Sequence, residues 1–506
     1  MTRVSTLREL LAKGADADVA IAAPGIPPLS YAGLRALVDR SLGVLNGMGI
    51  GRNDRVAIVL PNGPEMATAF VAIASGATAA PLNPAYRADE FEFYMSDINA
   101  KALVVDKGSE SPAVAVARKL GVPVIELAAD PAQGAGSFTL GDRAGGDSVN
   151  NGRYADPDDV ALILHTSGTT SRPKIVPLAQ RNICASAGNI AETLRFSTGD
   201  RGLNIMPLFH IHGLMAGLLA PFSAGSSVFC TTGFNALRFF AWMQEAKPTW
   251  YTAVPTMHQA ILTRATQNKT IITQTPLRFV RSSSSSLPPQ VIAELEATFN
   301  APVVEAYGMT EASHQMASNP LPPATRKPGT VGVAAGPEIA IMDEAGTLLP
   351  ANATGEIVIR GANVTAGYEN NPKANGEAFT GGWFRTGDQG VMDGEGYVSI
   401  TGRLKEIINR GGEKVSPREV DEVLMDHPAV QQVVTFAMPH DKLGEEVAAA
   451  VVLREGKNVS EKELREFVGG RLAAFKVPRK VVFLPEIPKG ATGKLQRIGL
   501  AAKLGL

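Results

Sequence analysis

The sequence predicts parallel α/β layers in more than one unit, then a barrel-like β section, then a small C-terminal domain of mixed α and β. Three observations carry this. Over most of the first 300 residues, short apolar strand-like runs alternate with helical patterns, as parallel α/β layers require. Between about residues 328 and 401 the pattern changes to short strands separated by glycine turns, which reads as antiparallel or barrel-like. After Arg403 it returns to mixed helices and strands over about 100 residues, enough for a separate small domain.

Leu7, Leu10 and Leu11 mark one face of a first helix. Strand-like runs follow at Val56 to Leu60, Ala102 to Val105, Val122 to Ile125, Val160 to Leu164, Thr249 to Val254 and Leu277 to Val280. Helical patterns at 65–75, 179–194 and 289–299 lie among them. The most apolar stretch, 205–230, is interrupted by His210, His212, Pro221 and glycines. It reads as a core helix with flanking loops, not a membrane span. In the barrel-like section the strands are Glu356 to Arg360, Gly390 to Asp393 and Tyr397 to Ile400. There is no internal repeat, and Ser282 to Ser286 is the one low-complexity patch. The expected domains are 1–402 and 403–506.

Composition limits the function classes. The 506 residues are 45% hydrophobic and 19% charged, as in soluble globular proteins. A formal net charge of −1 gives no electrostatic basis for binding nucleic acid or an anionic membrane. Two cysteines, Cys184 and Cys230, make no disulfide framework and fit a reducing compartment as small buried hydrophobes. There is no signal-peptide pattern, and the final Lys503-Leu504-Gly505-Leu506 is not a Ser-Lys-Leu address. A cytoplasmic monomer or small homo-oligomer is the expectation.

Chemistry concentrates in six motifs. Residues Leu164 to Lys174 run Leu-His-Thr-Ser-Gly-Thr-Thr-Ser-Arg-Pro-Lys after a buried strand. Such a loop offers backbone N–H groups, hydroxyls and one cation to phosphate oxygens, though it is not a Walker A loop. The second motif is Met206 to Gly213, with His210 and His212 at i and i+2. No cysteine or acid stands nearby at metal-ligand spacing. The third, Tyr307-Gly308-Met309-Thr310-Glu311, supplies a ring for a purine, a hydroxyl for phosphate and a carboxylate for Mg²⁺; it also reads as a strand end capping a helix. The fourth, Trp383 to Asp388, places an aspartate in a glycine turn, able to accept both ribose hydroxyls or to make an ordinary Asx turn. The fifth is Gly402 to Pro417, and the last, Pro488 to Leu495, carries Lys494 after Gly490 and Gly493.

In this order and spacing the motifs resemble the adenylate-forming superfamily of acyl-CoA synthetases, luciferases and peptide-synthetase adenylation domains, from about residue 30 to 497. The resemblance implies a large N-terminal domain of two α/β layers plus a β-barrel section, and a small mobile α+β C-terminal domain. It assigns Thr166, Ser167, Gly168, Thr169, Thr170 and Lys174 to the triphosphate. Tyr307, with Glu305 and Ala306, goes to adenine; Ser283, Ser284 and Ser285 line the adenine and acyl sites. Thr310 is placed on phosphate, Glu311 on Mg²⁺, Asp388 on the ribose with Arg403 beside it. Lys405 matches the hinge, Gly411 and Gly412 the pantetheine channel, and Lys494 the lysine that reaches the carboxylate and α-phosphate during adenylation. The implied cosubstrates are ATP, with Mg²⁺, and coenzyme A.

The departures from the common pattern bear on the acid. Ser171 replaces a glycine and Ile175 follows Lys174 in the phosphate loop. The acyl-site loop, usually Gly/Ala-rich, is Arg281-Ser282-Ser283-Ser284-Ser285-Ser286 here, and the third motif continues into Ala312-Ser313-His314. These features, with Trp250 to Thr256 and Leu472 to Pro478, look most like the oxalyl-CoA synthetases (oxalate–CoA ligases). Oxalate carries a second carboxylate that must be desolvated, so its pocket has to supply donors. His210, His314, Ser283 and Ser284 are the candidates, although each histidine reads equally well as a structural hydrogen-bonding group. Arg281 ends a strand and is expected to pair elsewhere; Arg172 faces solvent or phosphate.

The implied reaction joins a carboxylate to ATP, giving acyl-AMP and diphosphate, and then transfers the acyl group to CoA. No covalent enzyme intermediate is needed, and the serine run lacks a G-x-S-x-G elbow. Catalysis then consists of charge neutralisation and alignment, with Lys494, Thr310, Glu311 and His210 as the catalytic set. Two other readings stay open: a CoA ligase for another small or aromatic acid, as in coumarate–CoA ligases, and a nucleotide-binding relative without activity. The presence of Lys174, Glu311, Asp388, Arg403 and Lys494 disfavours the second.

Overall fold

The computed structural model describes residues 4–141, 153–166, 173–488 and 497–506. Two parallel-centred sheets form the α/β layers. One has seven strands; its apolar centre, Ala102–Asp106, Arg55–Val59, Thr78–Pro81 and Val160–Thr166, is parallel. The strand Lys174–Ala179 closes one edge antiparallel, pairing Thr166 with Lys174. The other sheet has nine strands, with Val303–Met309, Phe279–Ser282, Trp250–Ala253, Arg201–Asn204, Ser227–Cys230 and Val19–Ala23 parallel in that order. Continuous Val/Ile/Leu runs suit strands covered on both faces. One core cluster joins the two sheets, including Val56 and Ile58 on one and Val228 and Phe279 on the other.

Helix signals act where the sequence places them. Ser30 caps helix Tyr31–Gly47 by accepting from the Gly33 N–H at 3.2 Å. Pro64 and Pro289 occupy first helical turns, where a missing N–H costs nothing. Helices Pro64–Ala74, Gln180–Thr193 and Pro289–Phe299 match the expected 65–75, 179–194 and 289–299. The 205–230 stretch holds a helical segment from Ile211 to Ser223 with a π turn at Met215–Leu219. It also holds a strand, Ser227–Cys230, that the loop expectation missed because four buried residues are too few to show a period.

The barrel-like section is a five-stranded antiparallel sheet built on Glu338–Met342, Thr354–Arg360, Trp383–Met392, Phe379–Thr380 and Val398–Arg403. Its longest strand corrects two expectations. Gly390 to Asp393 is no separate strand, and Asp388 sits not in a turn but within Trp383–Met392. A register shift against Thr354–Arg360 accommodates Gly387 at φ +74°, so the glycine that reads as a turn marks a bulge. A further five-stranded sheet, with helices Pro417–Met425 and Glu461–Gly469, makes the smaller C-terminal domain around its own core of Ile408, Val420, Val447 and Leu464. Cys184 and Cys230 are both buried free thiols, pushed up by burial. No helix among the described residues is long and apolar enough to cross a membrane.

Candidate active site

A cavity of about 490 Å³ draws its walls from all three N-terminal sheets and from the turn that follows them. Thr166 and Lys174 face it from the hairpin edge of the seven-stranded sheet, and Thr310, Glu311 and His314 from the nine-stranded one. Thr386, Gly387 and Arg403 come from the antiparallel sheet, and Lys405 from the 3₁₀ turn Leu404–Glu406. His210 and Ser284 complete the lining at one end.

At the antiparallel-sheet side, Asp388 and Tyr307 stand just behind the lining residues Gly387 and Gly308, and Asp388 accepts from the Tyr307 hydroxyl at 2.5 Å and from Arg403 Nε at 2.8 Å. The charge of Asp388 raises the Arg403 guanidinium, and burial raises the Tyr307 hydroxyl well above its ordinary value. Each carboxylate oxygen keeps a second lone pair, so the aspartate can still accept from a diol. Glu311 is buried, accepts from the Tyr368 hydroxyl at 2.8 Å, and is pushed up by burial. Lys174 Nζ lies 4.3 Å over the Tyr368 ring. One buried carboxylate beside a lysine in a polar cavity fits Mg²⁺ held mainly by phosphate oxygens. Glu311 would hold the ion, whose contribution is to neutralise phosphate charge.

The other end is built from histidines. His210 is the N-cap of the segment Ile211–Leu214, its Nδ1 accepting from the His212 N–H at 3.3 Å. His212 is fully buried, its Nδ1 3.0 Å from Ser284 Oγ and its Nε2 2.7 Å from Thr252 Oγ1. Burial, then the neighbouring His314 and Arg281, hold its pKa well below the ordinary value, so the ring is neutral. It stacks on His314 with centroids 4.8 Å apart. Gly308 permits this packing: a Cβ there would meet the His314 carbonyl at 2.0 Å.

Several expected residues stand elsewhere. Ser283 does not reach the cavity, because its buried hydroxyl donates to the Ala306 carbonyl at 2.8 Å. Ser285 is exposed, and Glu305 and Ala306 lie behind the lining residues. Gly411 and Gly412 form the turn between Ile408–Arg410 and Glu413–Val415, away from the cavity wall. Ser167, Gly168, Thr169, Thr170 and Lys494 lie outside the described residues, as do Ser171 and Arg172. Sequence reasoning missed His212, Thr252 and Tyr368, and set Arg281 aside. The i, i+2 histidine pair was the one signal, since Thr252 and Tyr368 are isolated residues in ordinary runs.

Glu305 gives a pH prediction. Burial pushes its carboxyl up to about 7 from 4.5, opposed by the Gly329 N–H and Arg418. Between those values the native state holds a proton that the unfolded chain has released, so this contribution to stability is full below 4.5 and lost as pH rises to about 7. Glu305→Gln removes that loss. The drop in Tm from pH 5 to pH 8 should be smaller in the variant than in the wild type; identical drops would show that Glu305 is not the titrating group.

The comparisons agree with this geometry. Residues 11–369 match the AMP-binding enzyme family and 419–494 the AMP-binding enzyme C-terminal domain. The chain is 46% identical over 503 residues to the oxalate–CoA ligase of Arabidopsis thaliana, covering 98% of this chain and 97% of that protein. It is 48% identical over 476 residues to a probable CoA ligase, CCL9, of Humulus lupulus, covering 93% and 90%. ATP-bound MatB from Rhodopseudomonas palustris superposes with a TM-score of 0.87 at 30% identity, covering 99% and 98%, whereas its apo form gives 0.78 over the same shares. With family motifs, fold and cavity in agreement, the chain belongs to the AMP-binding enzyme family and is an AMP-forming acid–thiol ligase.

Proposed function

We propose that the acid is oxalate, and that the protein converts oxalate, ATP and CoA to oxalyl-CoA, AMP and diphosphate. The observation that carries this reading is the polar end of the cavity, lined by His210, Ser284 and His314. A coumarate or fatty-acid pocket needs apolar lining there. The relationship to the Arabidopsis oxalate–CoA ligase supports the same acid. In this reading the substrate carboxylate attacks the α-phosphate of ATP and diphosphate leaves. The CoA thiolate then attacks the acyl carbon and AMP leaves. Lys174 and Thr166 meet the triphosphate, Asp388 the ribose, and Tyr307 the adenine, with Glu305 and Ala306 one layer behind. Thr310 touches phosphate, and Lys494 delivers a cation to the reacting carboxylate. Ser283 acts one step back, fixing the Ala306 carbonyl.

We place the domain boundary at 402/403 and the pivot at Lys405. Lys494 and the Gly411–Gly412 turn are carried by one small domain but serve different half-reactions, so a rotation must exchange them.

The test is a substrate panel of oxalate, malonate, acetate and coumarate, read by diphosphate release. Oxalate should lead. A charge-assisted hydrogen bond to a buried carboxylate is worth roughly 1.5–3 kcal/mol. His314→Ala and Ser284→Ala should therefore each lower kcat/KM for oxalate by roughly ten- to a hundredfold, with a much smaller loss on acetate. His210→Ala, if the ring also contacts the reacting carboxylate, should hurt every acid alike. A wild type that prefers coumarate or a fatty acid defeats the assignment.

A further inference from the structure

Arg281 has no exposed surface and lies beneath the acid end of the cavity without lining it. One terminal nitrogen donates to His212 Nε2 at 3.3 Å and Thr252 Oγ1 at 3.4 Å. The other donates to His314 Nε2 at 3.2 Å and Gln315 Oε1 at 3.3 Å. Its Nε is buried with no hydrogen-bond partner among the described residues. None of the four acceptors is a carboxylate, and no carboxylate pairs with Arg281 among the described residues. Burial alone pushes the guanidinium down to about 9, which leaves it charged at neutral pH. A buried cation without a counter-charge is strongly unfavourable, so a protein that keeps one has a use for the charge.

The hydrogen bonds say what it does to its neighbours. A guanidinium only donates, so Nε2 of both imidazoles must accept, and each ring carries its proton on Nδ1. His212 Nδ1–H then donates to Ser284 Oγ, which turns the Ser284 hydroxyl proton toward the cavity that this serine lines. His314 Nδ1 stands on the side of Gly308, 3.1 Å from where a Cβ would be, and both residues line the same cavity. The backbone is strained at the same place. Ser284 (φ +74°), Ser313 (φ +48°) and His314 (φ +91°) are non-glycine residues in the left-handed region, a cost that structures bear mainly at functional sites.

The geometry points to Arg281 as a positioning residue that makes the cavity select acids with a second negative group: it sets both imidazole tautomers, aims the Ser284 and His314 donors, and leaves a cation whose counter-charge is the bound acid's distal carboxylate. The inference rests on the reading of this end as a dicarboxylate site.

The experiment uses the full chain with Arg281→Met, which keeps the stem and removes the charge, and Arg281→Lys, which keeps the charge but cannot span two rings. ATP–diphosphate exchange is measured with oxalate, malonate and acetate, and thermal unfolding with and without oxalate. For Arg281→Met, kcat/KM on oxalate should fall by at least about 30-fold, mostly through KM, and acetate by less than about threefold. The KM for ATP should hold, and oxalate should no longer raise the melting temperature. Arg281→Lys should fall between the two, and it decides the same contrast if the methionine variant does not fold. Equal losses on oxalate and acetate in the variants would reduce Arg281 to a structural role and overturn the inference while the oxalate reading stands. A wild type that prefers malonate to oxalate would sink oxalate but leave Arg281 its role. A wild type that prefers acetate would overturn both.

Discussion

Lys494→Ala is expected to slow acyl-adenylate formation by about a hundred- to a thousandfold, the range seen when a donor aimed at developing charge is removed. The lysine follows Thr492-Gly493, in a segment whose glycines let a single cation be delivered to the reacting oxygens. A charge that arrives only at the transition state affects turnover rather than ATP affinity. Thioester formation from supplied oxalyl-adenylate should therefore stay within a few-fold of wild type, because the proposed rotation carries Lys494 away before CoA attacks. Separate assays of the two half-reactions check this. Equal losses in both would mean that the lysine only supports the fold.

The second large effect is expected at Lys405. It occupies the middle of the 3₁₀ turn Leu404–Glu406, where φ suits proline, and its N–H makes no backbone hydrogen bond among the described residues. Lys405→Pro should fold normally and hold the arrangement described here, which lies nearer to ATP-bound than to apo MatB. Diphosphate exchange should persist near the wild-type rate, and CoA ester formation should fall by at least about a hundredfold, since the ring fixes φ at the pivot. Normal rates for both half-reactions would remove Lys405 from the hinge.

Much of this was legible because it depends on local rules. Helix Pro289–Phe299 announces itself by a proline at its start and a 3.6-residue period, and the parallel strands by apolar runs. The motif residues Lys174, Thr310, Glu311 and Arg403 do converge on one cavity. What could not be read was pairing across the sheet. Thr252 and Arg281 are register partners on neighbouring strands, 29 residues apart, and no local pattern links them. An arginine inside Phe279–Ser282 therefore looked like a strand end with a partner elsewhere, and its burial under two histidines is a tertiary fact. Asp388 shows the converse failure. Its Gly neighbour looked like a turn, because a bulge and a turn demand the same positive φ.

The division of labour between sheets has an evolutionary consequence. The pair Asp388 and Arg403, proposed for the ribose, belongs to the antiparallel sheet, whereas Thr252, Arg281 and His314 belong to strands of the nine-stranded sheet. A lineage can therefore change its acid by exchanging a few side chains on Trp250–Ala253, Phe279–Ser282 and His314–Ser318 while the Asp388–Arg403 pair stays intact. Such exchanges have to travel together: a Leu or Met at position 281 with both histidines retained, or the reverse, would leave buried polar groups stranded. Acid preference in relatives of this protein should thus have shifted in blocks, and grafting Thr252, Arg281, Ser284 and His314 as a set is the rational way to move it into another scaffold.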